Sequence, residues 1–274
     1  MNYTPVIPLG GLAGWAFLKR TLGTQQAAFA ASPAIKRDET YFREKISSIN
    51  TAEELVSDRR LLRVALGAFG LDADINNKFF IRKVLDDGTL SADALANRLA
   101  DKQYLALSKA FGFGDNAIPN SQSSGFADRI LSQYKTRSFE SAVGEQDDTM
   151  RLALNAEREI ASLAGRASSS DDTLWFTVMG NAPLRQVFQT AFGLPSSFGS
   201  LDLDQQLSTY KARAEQAFGD ESIKQFSDPD ALNALIRRFL AQGEVQNSSS
   251  SGRTSAALTI LQSGQSSLLS ILGR

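Results

Sequence analysis

The sequence predicts an all-α protein: an irregular multi-helix array built from duplicated helical-hairpin units, with an amphipathic helix at each end. Three observations carry this. Apolar residues recur at three- and four-residue spacing almost throughout, and no stretch shows the strict alternation of a half-buried strand. Helix-capping residues punctuate the chain at regular points. The tripeptide Ala-Phe-Gly occurs four times, ending at Gly70, Gly112, Gly193 and Gly219, as a repeated helix terminus would.

The first helix is expected from about Leu12 to Ala31, with Trp15, Leu18, Leu22 and Phe29 on one heptad seam and Gln25 at the remaining seam position. Ser32-Pro33 stops it, because the residue before proline disfavours the α region. A second helix carries Tyr41, Phe42, Ile46 and Ile49 behind a charged start, Lys36 to Glu39. Thr51 to Glu54 reads as a capping box, threonine first and glutamate three residues later. The next helix runs through Leu61, Leu62, Val64, Ala65 and Phe69, and Gly70 supplies the residue that follows a helix end.

Phe79 to Leu85 is a short helix ended by Asp86-Asp87-Gly88. Ser91 caps a single helix carrying Leu95, Leu99, Tyr104, Leu105, Leu107 and Phe111. A loop over Ala117 to Gly125 follows, rich in turn-forming residues. Helices are expected from Phe126 to Val143, Asp147 to Leu163, and Thr173 onwards until Gly180-Asn-Ala-Pro183 breaks the last. Others run from Pro183 to Gly193, Asp202 to Phe218 and Asp228 to Ala241, the last with Asp228 as N-cap and Pro229 at the first helical position. Gln246 to Gly252 is a Ser-rich linker. It leads to an amphipathic helix with Leu258, Leu261, Leu268 and Leu272 on its seam and Gln265 in the fifth place. The two terminal helices share one pattern, so they either pack on the core or pair with each other or with a second copy, giving an oligomer. The organisation expected is an N-terminal helical subdomain over 1–120, a repeat-related helical subdomain over 121–245, and the linker with its helix over 246–274.

The repeats extend beyond the tripeptide. Leu61, Val64, Ala68, Phe69, Gly70 and Leu71 align with Leu184, Val187, Ala191, Phe192, Gly193 and Leu194 at one constant offset. Leu131-Ser132-x-Tyr134-Lys135-x-Arg137 matches Leu207-Ser208-x-Tyr210-Lys211-x-Arg213 at a shorter one. Unequal offsets exclude a regular solenoid and indicate a duplicated or shuffled unit.

Composition removes whole classes of chemistry. The 274 residues include no cysteine and no histidine. There is no disulfide, no thiolate nucleophile, no Cys/His zinc site and no histidine general base. The net charge is −1, and the basic residues are scattered along the chain, so nucleic acid is not an expected partner. No apolar run reaches the length of a membrane span. Near the N-terminus the order of charge and apolar residues is wrong for a secretory leader, since Lys19 and Arg20 follow the apolar stretch, so no Sec-type cleavage is expected. The 17 phenylalanines read as core.

Candidate sites are few, and no catalytic, cofactor or metal residue is assigned. Ser132 with Lys135 and Ser208 with Lys211 both fit Ser-x-x-Lys, which on a helix puts hydroxyl and amine on one face, as a serine hydrolase with a lysine base requires. The companion motifs of that chemistry are absent, and the repeat explains the spacing with leucine and tyrosine in the core and lysine and arginine in solvent. Asp72 to Asn77 opens like a calcium loop, but Asn77 replaces the turn glycine and Lys83 stands where the bidentate glutamate belongs. The acid pairs Glu53-Glu54, Asp86-Asp87, Asp147-Asp148 and Asp171-Asp172 fall at helix ends, where capping accounts for them.

Several motifs match a known family. They are Gly14-Trp15-x-Phe17-Leu18, Thr51-Ala-Glu-Glu-Leu-Val-x-Asp58-Arg-x-Leu-Leu, Gly67-Ala-Phe-Gly-Leu-Asp72, Phe80-Ile-Arg-Lys-Val-Leu85 and Leu95-Ala-x-x-Leu-Ala-Asp101. In the second half they are Trp175-Phe-x-Val-x-Gly-Asn-x-Pro-Leu-Arg185 and Ala191-Phe-Gly-Leu-Pro195. The chain resembles, over most of its length, a family of uncharacterised alphaproteobacterial proteins, the domain of unknown function twelve-seventeen. Its members are often encoded beside flagellar genes, and some carry rod-protein labels, although this chain lacks the β-rich middle of a rod protein. The resemblance implies a non-enzymatic, flagellum-associated structural or assembly protein that contacts flagellar components, either cytoplasmic or exported through the flagellar pathway. A cytoplasmic chaperone or adaptor is the alternative, and a serine/lysine hydrolase the remote one. Axial proteins exported by that pathway are similar in lacking cysteine and a Sec leader and in carrying heptads at both ends.

Overall fold

A computed structural model describes residues 3–245, and among them no strand is present. The Ser-rich linker and terminal amphipathic helix lie outside the described residues. The protein is all-α, as expected. Its helices are α1 (Gly11–Ala30), α2 (Pro33–Lys45), α3 (Ala52–Ser57), α4 (Arg59–Phe69), α5 (Lys78–Asp86), α6 (Leu95–Arg98) and α7 (Gln103–Phe111). They continue as α8 (Phe126–Gly144), α9 (Asp148–Ala164), α10 (Asp171–Gly180), α11 (Ala182–Ala191) and α12 (Leu203–Phe218), followed by α13 over 229–245.

The caps sit where the residue types demand. The Thr51 hydroxyl accepts from the Glu54 amide, and the Glu54 carboxylate accepts from the Asn50 amide at 2.7 Å. Asp58 ends α3 and restarts the chain as α4 by accepting from the amides of Arg60 and Leu61. Asp147, Asn181 and Asp202 cap α9, α11 and α12 in the same way. Asp228 accepts from the Asp230 amide at the start of α13.

One expected helix is two. The segment from Ser91 to Phe111 breaks between α6 and α7. Lys102 donates to the carbonyls of Asn97 and Leu99, closing the end of α6, while Asp101 accepts from the Gln103 amide and opens α7. These local polar bonds compete with helix continuation, which apolar spacing alone does not reveal.

The buried residues fall into two cores. One gathers Ile35, Phe42, Leu55, Leu62, Ile81, Leu107 and Phe111 from α2 to α7, together with Phe126, Ile130, Leu131 and Tyr134 from the first half of α8. The other gathers Phe139 and Val143 from the second half of α8, the inner faces of α9 to α13, and Trp15 and Leu18 of α1. Helix α8 therefore gives buried residues to both cores, and Phe29 of α1 also packs against both. Phenylalanine fills them, as composition predicts, with Phe79 standing out as an exception at 81% exposure.

Both cores use the same device. All four Ala-Phe-Gly glycines adopt positive φ. After α4 the Leu71 amide returns to the Leu66 carbonyl, and after α11 the Leu194 amide returns to the Gln189 carbonyl, the same six-residue closure. In the first core, Gly67 of α4 brings the backbone against Tyr134 of α8: an added Cβ would lie 2.9 Å from the ring. In the second, Phe188 and Phe192 beside their Ala-Phe-Gly end meet Tyr210 of α12, which also stacks on Trp175 at 5.4 Å. The two repeated motifs are thus partners within each core. Their unequal offsets follow from α5 to α7, which separate the motifs in the first unit, where the second has only a short 3-10 turn, Ser196–Ser200.

The α1 seam is taken up internally. Trp15 and Leu18 are buried, and Leu22 and Phe29 pack against the second core. Gln25 is 5% exposed, and its amide makes a backbone-like pair with Val6, accepting from the Val6 amide at 2.7 Å and donating to its carbonyl at 3.1 Å. The seam glutamine therefore holds the segment that precedes α1 and leaves this stretch of α1 committed to its own chain.

The repeat glycines give a graded test. Gly193 has open space around it, whereas a Cβ on Gly70 would lie 2.8 Å from Arg137 Nη1 and 3.0 Å from Gln103 Oε1. Gly193→Ala is expected to cost about 1 kcal/mol from left-handed strain alone. Gly70→Ala should cost about 2–3 kcal/mol, since the same strain is joined by displacement of two packed side chains. Urea-unfolding midpoints of the two variants check the order.

Candidate functional site

At the middle of α8 the apolar faces change allegiance from one core to the other, and the chain carries charge there. Arg158 of α9 donates to both carboxylate oxygens of Glu140, each at 2.8 Å, and to Glu159. Arg137 of α8 donates to Glu159 at 2.7 Å. The Glu140 side chain is 8% exposed, so its charge depends on Arg158. Burial lowers the Arg158 pKa, but hydrogen bonds and charge from Glu140 and Glu159 together raise it above the ordinary guanidinium value. Arg137 shifts the other way, lowered by burial and by the neighbouring Arg158 charge.

This network floors a groove. Two adjoining hollows, of about 540 and 500 Å³, share Phe69, Ala106, Arg137, Glu159 and Arg166. Ser132 and Thr136 of α8 and Ser162 of α9 extend it in one direction. Lys102, Leu105 and Lys109 extend it along α7, opposite Thr177 and Gly180 of α10. Gly180 sits where a Cβ would come within 3.0 Å of the Ala100 carbonyl oxygen, so the two units close against each other at that end. The lining residues carry five cations, Lys102, Lys109, Arg137, Arg158 and Arg166, against one carboxylate, Glu159. Lys109 and Arg166 are exposed, and among the described residues neither enters an ion pair. Guanidinium and ammonium groups of this kind form charge-assisted hydrogen bonds with carboxylates and other anions.

Neither Ser-x-x-Lys pair is assembled for catalysis. Lys135 binds Glu39 of α2 at 2.8 Å, while Ser132 lies exposed on the groove. Lys211 binds Asp172 of α10 at 2.6 Å, and the Ser208 hydroxyl donates to the Gln205 carbonyl. The hydrogen bond that Lys211 donates to Asp172 raises the lysine pKa, an effect opposite to what a general base needs. The two lysines thus tie each repeat tyrosine helix to an acidic neighbour. Arg137 departs from the solvent position the repeat predicts, because only in the first unit does this arginine meet a second core. Arg213, its counterpart, is exposed.

Other singled-out residues are structural. Asp74 accepts from Tyr104 and Asn77. Asp38, expected in a charged helix start, is 7% exposed and binds both Arg63 and the Tyr134 hydroxyl. Of the acid pairs, Asp147 caps α9, Glu53 and Asp86 meet Arg82, Asp87 meets Lys83, and Asp171 accepts from Ser222. The groove cations come from α7, α8, α9 and the loops beside them, so no local sequence signal groups them.

With the groove and the fold in view, comparison with known proteins places the chain. Residues 68–232 match the family described as "Protein of unknown function (DUF1217)", and the chain belongs to that family. It is similar to a solved structure, the X-ray crystal structure of protein AGR_C_984 from Agrobacterium tumefaciens. The TM-score is 0.71 at 26% sequence identity, covering 89% of this chain and 99% of that one. No curated protein matches the chain.

A pH-dependent prediction follows from Lys135. Burial pushes the Glu39 carboxyl up, but hydrogen bonds from Lys135 and Arg43 and the charges of Lys135 and Lys36 hold it below its ordinary value. A carboxyl lowered in the folded state adds stability above its ordinary pKa and loses it as pH falls through the folded value. Lys135→Met is therefore expected to cost about 1–2 kcal/mol at neutral pH, shrinking as the medium is acidified below roughly pH 4. Urea midpoints of both proteins across that range check it; a difference independent of pH would contradict it.

Proposed function

We propose that this protein is a non-enzymatic, flagellum-associated structural or assembly component that acts through protein–protein contacts, in the cytoplasm or as an export substrate of the flagellar pathway. The observation that carries the binding half of this reading is the cationic groove between the two cores, a surface built for contact. Its serine and threonine hydroxyls have no assembled base beside them. The flagellar half rests on the family resemblance, whose members are often encoded beside flagellar genes.

A cytoplasmic chaperone or adaptor for flagellar proteins is the second reading, and one observation favours it. The α1 seam is occupied by the chain's own core and by Val6, which leaves the groove as a grip for a client in place of pairing through α1.

Deleting the gene and scoring swimming and filament assembly tests the proposal. Loss of motility with absent or shortened filaments is expected, restored by the wild-type gene. Normal swimming and normal filaments would refute it. Fractionating the complemented strain separates the two readings: recovery outside the cell supports an exported component, and recovery only in the cytosol supports the chaperone or adaptor.

A further inference from the structure

We infer that the groove between α7 and the α9–α10 side docks an acidic segment of a partner protein, its carboxylates meeting Lys109 and Arg166 at the rim while an apolar side chain settles on Leu105 and Ala106. This rests on the protein-binding reading above and supplies the chemistry of the partner.

Charge complementarity carries it. The whole chain has a net charge of −1, yet the lining of this one groove holds five cations to one carboxylate. Concentrating like charge costs self-repulsion. Elsewhere Lys19, Lys36, Arg43, Arg63, Lys83, Arg151 and Lys211 each have a carboxylate partner, and exposed cations without one, such as Lys45 on α2 and Arg237 on α13, lie on separate elements. Lys109 and Arg166 instead line one groove together with Lys102, and among the described residues none of the three enters an ion pair. The floor carboxylate does not neutralise them, because Glu159 is already engaged by Arg137 and Arg158. The apolar lining of Phe69, Leu105 and Ala106 excludes water from one side of an incoming ion pair, which strengthens it relative to an open surface.

The occupant is narrowed by sign. The chain's own segment over 246–274 carries Arg253 and Arg274 and no acidic side chain, so its charge is wrong for the groove. Nucleic acid is disfavoured because a chain with net charge −1 offers little long-range attraction to a polyanion. An acidic, partly apolar protein segment meets both requirements.

The test uses the full-length protein and fluorescence anisotropy with three labelled probes: an amphipathic peptide of leucine and glutamate, the same peptide with lysine for glutamate, and a single-stranded oligothymidylate. Two charge-matched variants are compared. Lys109→Glu with Arg166→Glu alters the rim, and Lys45→Glu with Arg237→Glu makes the same change in net charge at exposed positions on α2 and α13. Saturable, salt-sensitive binding of the glutamate peptide to wild type and to the control variant is expected, with affinity falling at least roughly tenfold in the rim variant. The rim side chains are exposed and unpaired, so that variant should keep its unfolding midpoint. No saturable binding, equal loss in both variants, tighter binding of the oligothymidylate, or occupation of the groove by a second copy seen as a concentration-dependent dimer would each overturn the inference. Failure here is distinct from failure of the flagellar reading. A rim variant that fully restores motility to a deletion strain sinks the groove's role and leaves the flagellar role intact. Groove-dependent binding in a protein whose deletion has no phenotype does the reverse.

Discussion

The pairing of Arg158 with Glu140 and Glu159, joined by Arg137, is the interaction on which the arrangement of the two cores depends. Helix α8 enters one core with Phe126 and Tyr134 and leaves through the other with Phe139 and Val143. Between them it needs polar side chains where the apolar surfaces diverge, and those side chains are largely removed from water. A buried carboxylate such as Glu140 is tolerable only with a fixed partner, and α9 supplies one in bidentate geometry. The pair therefore sets the register of α9 against α8. With that register set, α8 and α9 hold Arg137, Arg158 and Glu159 of the groove at fixed positions.

Duplication explains much of the remainder. Each core is organised around a helix ending in Ala-Phe-Gly that packs on a tyrosine from the Leu-Ser-x-Tyr-Lys-x-Arg helix. In each, the lysine one residue after that tyrosine binds an acid on a neighbouring helix, Glu39 in the first and Asp172 in the second. The two copies diverge at the arginine. Arg137 turns into the junction between the cores, whereas Arg213 faces solvent and donates to Gln216. The arginine of the first unit thus forms part of the floor of the groove, and α7 supplies the facing wall.

Much of the fold was legible in the sequence because its signals are local. Periodicity, the caps at Thr51, Asp147 and Asp228, and the left-handed glycines each act within a few residues, and the helices fall close to where they place them. The break between α6 and α7 escaped because Lys102 and Asp101 compete with the helix through side-chain bonds that apolar spacing does not encode. Asp38 and Arg137 escaped for a different reason: both lie in charged stretches that read as solvent-facing, and both are taken inward by long-range partners, Tyr134 and Glu159. The groove was invisible for the same cause. Its cations are dispersed along the chain, and only the tertiary fold brings α7, α8, α9 and the loops beside them around one groove. The Ser-x-x-Lys spacing was visible from the start, but its meaning depended on Glu39 and Asp172, which stand far away in sequence.

The groove combines charge, packing and shape. The α8–α9 charge network fixes α9 against α8, and a double-mutant cycle in urea measures it. Arg158→Ala alone is predicted to cost roughly 3 kcal/mol, because Glu140 is left charged and buried. Adding Glu140→Gln should recover more than about 1 kcal/mol of that loss, since the stranded charge is gone. A cost within about 0.5 kcal/mol for Arg158→Ala, or strictly additive effects of the two substitutions, would contradict it.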